Sequence, residues 1–159
     1  MDHAQNSADT PDTQSQLSKP LLITSWILQI ALAFILGQTL FFKLTGAPET
    51  IALFEVVGAE PMGRFATAIA ELVCVVLLLI PKTSVLGAIG SVGVISGAIM
   101  AHITKLGISI DPVALAKPEI APLEGPSLFV MAVIVFVGGL VIIAIRRAQI
   151  PIIGPKLAK

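Results

Sequence analysis

The chain has 159 residues, is 55% hydrophobic and 13% charged, and carries a formal net charge of zero. An ordinary soluble domain has about 25% charged residues, so this composition excludes that class, and a neutral chain has no bulk attraction for nucleic acid. The single cysteine, Cys74, excludes an internal disulfide and a paired-thiol redox centre within the chain.

Residues 1–20 are polar, rich in Asp, Ser, Thr and Gln, and are expected to form a disordered tail. They do not read as a signal peptide: Lys19 is the sole basic residue among them, and no small-residue cleavage site closes the apolar run that follows. Four apolar runs come next, at about Leu21–Phe42, Gly63–Ile80, Val85–Thr104 and Ser127–Ile145. Each is close to the roughly 20 residues that carry a helix across about 30 Å of hydrocarbon. None shows the alternation that a membrane β-barrel requires. The expected fold is therefore all-α, a transmembrane four-helix bundle over residues 21–147, followed by a cytoplasmic tail at 148–159.

The connections differ in kind. Pro81-Lys-Thr-Ser84 is a tight turn that makes the second and third spans antiparallel neighbours. Between the first two spans, Phe54, Val56 and Val57 lie among Glu49, Glu55 and Glu60, a pattern that fits a short interfacial helix. Between the last two, prolines at 112, 118, 122 and 126 argue against a long regular helix. That loop can close over the bundle as a lid, but its proline density favours an irregular connector. Basic residues set the orientation. Lys19, Lys82, Arg146, Arg147, Lys156 and Lys159 would lie on one side and Lys43, Arg64, Lys105 and Lys117 on the other, which predicts N-in/C-in.

Small residues mark the third span. Gly90, Gly93, Gly97 and Ala101 form one stripe, expected to pack helices closely within the bundle, with a dimer face as the alternative. Gly138-Gly139 would serve the same end in the fourth span. Cys74 reads as a small core hydrophobe.

The polar residues carry the functional reading. Glu71 sits inside Phe65-Ala-Thr-Ala-Ile-Ala-Glu71-Leu-Val-Cys-Val-Val. A charge at the centre of a membrane helix costs on the order of 3 kcal/mol, so Glu71 needs a partner, a proton or a task. Placing residues by depth brings Gln38, Lys43, Arg64, Glu71, His102 and Lys105 into the outer half of the bundle, with Glu71 about 10 Å below Arg64. Gln38, Lys43, Arg64, Glu71 and His102 are the candidate pocket. The inner half holds almost no ionisable residue within the spans. Snorkelling of Lys43, Arg64 and Lys105 to water is the structural alternative, as is a tether role for Glu71. One His and one Glu on separate helices make no metal-site signature, so no metal is expected.

Phe41-Phe-Lys-Leu-Thr-Gly46, then Gly63-Arg-Phe to Ala70-Glu71-Leu, Leu77-Leu-Leu-Ile-Pro81 and Ala98-Ile-Met-Ala-His102 occur in an order that resembles the DoxX-like family of bacterial four-helix membrane proteins. The resemblance implies a bacterial plasma (inner) membrane location. Members include a subunit of an archaeal thiosulfate:quinone oxidoreductase, and others are linked to membrane redox systems that handle thiol or oxidative stress. By position it maps the family's Lys-Leu onto Lys43-Leu44, its glutamate onto Glu71 and its third-span polar position onto His102. With no cofactor motif or thiol pair, the chain is not expected to be a self-contained enzyme. Two readings follow: an accessory or subunit of a redox system whose pocket binds a quinone or small anion, or a non-enzymatic scaffold that binds another membrane protein. Its partners would be the bilayer and a protein partner or second copy.

Overall fold

The computed structural model describes residues 17–150. Five α-helices account for most of them: α1 (Lys19–Thr45), α2 (Pro48–Val57), α3 (Met62–Leu79), α4 (Ser84–Ala101) and α5 (Ser127–Ile145). A π-helical turn at His102–Leu106 prolongs α4, and a 3-10 segment spans Pro118–Leu123. Four helices are long and apolar enough to cross a membrane: α1, α3, α4 with its π turn, and α5. Most of the predicted tails, 1–16 and 151–159, lies outside the described residues. Residues 19 and 20 belong to α1, and 147–149 form a 3-10 turn.

Local chemistry sets the ends. Proline occupies the first turn of α1 and of α2, where its missing N–H costs nothing. Gly46 (φ 67°) and Gly58 (φ 80°) close these helices in the left-handed conformation that glycine adopts without strain. The turn between α3 and α4 is sealed by the Thr83 hydroxyl, which donates to the Leu77 carbonyl at 3.1 Å. The start of α4 lies tight against the end of α3. A Cβ on Gly87 would stand 2.5 Å from the Leu78 nitrogen, so only glycine fits there.

The four long helices form a ring in the order α1, α3, α4, α5, with α1 and α4 diagonal. Leu32, Leu36, Cys74, Leu78, Ala88, Ile95, Ala132, Val135 and Ile142 fill its centre. The outside is apolar as well: Ile23, Ile27, Ile30, Phe34 and Phe41 form one exposed stripe on α1. Helices that are hydrophobic all round suit a lipid solvent.

The glycine stripe of α4 is divided. Gly90 packs inward, where an added Cβ would stand 2.8 Å from Cys74 Sγ. Gly93 and Gly97 are exposed and face open space, so they pack no helix within this chain. The stripe winds round the helix relative to its neighbours, and close packing falls on Gly87 and Gly90 instead. Gly138 and Gly139 both abut neighbours, Leu32 and Val92.

The 107–126 connection is not a loose strand of chain. Ile110 and Gly125 exchange both backbone hydrogen bonds at 3.0 Å, closing it into a compact loop. Ile110 and Ile120 bury against Ala52 of α2, with Leu53, Leu115, Leu123 and Leu128 around them. The prolines exclude a long helix but leave a second small core, which caps one end of the bundle. An exposed ion pair, Lys117–Glu55 at 2.5 Å, spans the same contact.

Candidate functional site

Beneath this cap lies a cavity of about 380 Å³. It is lined by the last turns of α1, by α2, by the first half of α3, by the last half of α4 and by the start of α5, and is partly open. Its walls are chiefly aliphatic and aromatic, with Ile35, Leu36, Phe42, Leu53, Phe54, Val94, Ile95, Leu128 and Met131 among them. Thr39, Lys43, Glu49, Thr50, Thr67, Glu71 and His102 supply the polar positions.

Glu71 is buried, and its helical register explains why. Arg64, Ala68, Glu71, Cys74 and Leu78 are the buried positions of α3 and recur every three or four residues along one face. The Glu71 carboxylate forms a salt bridge with the Lys43 ammonium across α1 and α3, and their side chains are only 4% and 14% exposed. Glu71 Oε2 also accepts from the Thr39 hydroxyl at 3.2 Å, a proton that Thr39 shares with the Leu36 carbonyl at 2.9 Å. Thr39 and Lys43 are one turn apart on α1 and reach the same carboxylate.

His102 enters from α4, diagonal to α1. Its Nδ1 lies 2.8 Å from the Gly107 carbonyl oxygen, and the Gly107 N–H returns to the His102 carbonyl at 2.8 Å, closing the π turn. Gly107 has φ 82°, which permits this reversal. The imidazole stands edge-on to Phe129 with ring centroids 5.6 Å apart. Such single π turns interrupt α-helices often at functional positions.

Of the five candidate pocket residues, Lys43, Glu71 and His102 line the cavity. Gln38 does not: it is exposed, because its neighbour Thr39 occupies the inward position on α1. Arg64 is buried but points away from the cavity. Its Nε and Nη2 donate to the Glu60 carboxylate at 2.8–3.0 Å, and its Nη1 donates to the Lys43 carbonyl, one of the orphan carbonyls at the end of α1. It clamps α3 to α1 and offers no free charge. Lys105 is exposed. Thr39 escaped the sequence reading, although its i, i+4 relation to Lys43 was the available signal.

A second polar cluster lies at the opposite end of the bundle, where few ionisable groups were expected. Arg146 is fully buried. Its Nε donates to Ser25 Oγ at 2.6 Å, and its Nη1 to the Pro81 carbonyl and Gln149 Oε1 at 3.2 Å. Gln29 Nε2 also donates to Ser25 Oγ, at 2.6 Å. A residue that flanks a span in sequence is thus folded back against α1 and the α3–α4 turn. Among the described residues no group of three or more His, Cys, Asp or Glu is arranged to hold a metal ion.

A sequence model described as the DoxX-like family matches residues 27–117. The match runs from within α1 through α4 and into the capping connection, and takes in Lys43, Glu71 and His102. No curated protein and no solved structure matches the chain.

Proposed function

The chain belongs to the DoxX-like family, and we propose that it is a membrane-embedded quinone-binding accessory or subunit of a redox system. The observation that carries the reading is one cavity that joins apolar walls to the Lys43–Glu71 pair and His102. Pockets for small amphipathic molecules have this make-up: largely apolar, with a few placed polar groups. A small anion is the poorer fit. Lys43 is neutralised by Glu71, and Arg64 by Glu60, so neither cation is left uncompensated.

The proposal puts the bundle N-in/C-in in a bacterial inner membrane. Lys19, Lys82, Arg146 and Arg147 would lie at the cytoplasmic end, and the capped cavity would open in the outer half. The family's redox members supply the redox association. Binding of decylubiquinone to the full chain in mild detergent, followed by native mass spectrometry, tests the reading. Saturable binding is expected. It should be lost in Ala98→Phe, whose ring would fill the cavity, and weakened in Glu71→Gln and Lys43→Ala. Unchanged affinity in all three removes it.

A scaffold role is the second reading, and one observation favours it. Gly93 and Gly97 are exposed with open space before them, Gly97 at the edge of the cavity, and a helix from another chain can seat closely there. Affinity capture in mild detergent separates the two: a stoichiometric protein partner supports the scaffold, and a monomer carrying quinone supports the pocket.

A further inference from the structure

The hydrogen-bonding capacity left on the cavity wall narrows the ligand further, an inference that rests on the quinone-pocket reading. The partner of His102 Nδ1 is a carbonyl oxygen, 2.8 Å away, which can only accept. Nδ1 therefore carries a proton and donates it, and in the neutral ring Nε2 is an acceptor. Nε2 has no hydrogen bond among the described residues. The ring is held before any ligand arrives, by Gly107 on one side and by Phe129 on the other. The polar groups from α1 and α3 are used differently. Glu71 already accepts from Lys43 and Thr39, whereas the Lys43 ammonium has three N–H donors and gives one to Glu71. Lys43 thus offers spare donors and His102 Nε2 an acceptor without a protein partner among the described residues, beside the spare lone pairs of Glu71 and the Glu49 and Thr50 side chains that α2 adds to the lining.

We propose that the cavity selects the hydroxyl-bearing, quinol form of its ligand, with His102 as the specificity-determining residue. One ring oxygen accepts from the Lys43 ammonium, and a ring hydroxyl donates to His102 Nε2. A quinone has two carbonyl oxygens and no donor, so it leaves Nε2 unmatched in an apolar site. An unmet buried acceptor weakens binding by roughly tenfold or more.

The test compares three probes on the full chain in mild detergent: decylubiquinol under anaerobic conditions, decylubiquinone, and the dimethyl ether of decylubiquinol, which cannot donate. Decylubiquinol should bind roughly tenfold tighter than either of the others. His102→Phe should level the three affinities. His102→Gln, which offers an acceptor oxygen, should restore part of the preference. Equal affinities on the unaltered chain, or a quinol preference that persists in His102→Phe, would overturn the proposal, and the ranking on the unaltered chain decides even if His102→Phe does not fold. Absence of saturable binding by all three probes defeats the quinone reading itself. Equal binding of quinol and quinone defeats only the role of His102.

Discussion

The two ends of the bundle each bury a cation, and they treat it in opposite ways. At the capped end, Lys43 meets a carboxylate and stands beside about 380 Å³ of unfilled volume. At the other end, Arg146 meets only neutral dipoles, Ser25 Oγ, the Pro81 carbonyl and Gln149 Oε1, and is wholly enclosed. The Pro81 carbonyl lies just beyond the C-terminus of α3, where the partial negative charge of the helix end favours a guanidinium. A buried charge is therefore not the mark of a site. The mark is a polar group whose neighbouring space has been left open.

The contrast can be broken, and the largest effect is expected at the capped end. Glu71→Leu strands the Lys43 ammonium in an apolar wall and should cost about 3–5 kcal/mol of unfolding free energy in detergent. The double variant Glu71→Leu/Lys43→Met should recover much of that loss. A double variant no more stable than the single would mean that the pair is not the unit of stability. At the other end, Arg146→Met removes the links to Ser25 and Pro81 and should cost about 1–3 kcal/mol. It should leave ligand affinity unchanged, and any loss of binding would erase the distinction between the two clusters.

Gly87→Ala drives a Cβ into the backbone of Leu78 and should destabilise by about 1–3 kcal/mol, whereas Gly93→Ala should fall within about 0.5 kcal/mol of the original. Thermal unfolding of the two variants side by side checks which glycines pack the bundle.

The smallest effect belongs to Lys117–Glu55, an exposed pair on the cap. The hydrogen bond to Glu55 holds the Lys117 pKa above the ordinary lysine value. A raised folded pKa stabilises fully below the unfolded lysine value, and that contribution is lost as pH climbs through the folded one. Lys117→Ala should thus give a slight thermal shift at neutral pH that disappears in high salt and at strongly alkaline pH.

Much of this was legible in the chain because membrane spans are written in composition. Four apolar runs with polar breaks specify four helices, and the Pro81–Ser84 turn specifies an antiparallel pair. Glu71 stood out because its carboxylate is costly in hydrocarbon, and counting depth brought Lys43 and His102 to its level. Orientation about each helix axis was not legible. A helix that is apolar on every side has no sequence signal for which face turns inward, so Gln38 was placed where Thr39 lies, and of the stripe assigned to packing Gly90 packs against Cys74 while Gly93 and Gly97 face open space and Gly87 makes the closest approach.

Sequence alone determined that the chain is a membrane bundle and that one carboxylate must be answered from within it, since lipid leaves neither backbone nor charge unsatisfied. Tertiary structure alone decided which cation answers it, that the proline-rich connection caps the end where a cavity lies, and that Arg146 folds inward. Those outcomes depend on how helix faces rotate and on contacts between residues as distant as Ser25 and Arg146, which local pattern does not encode.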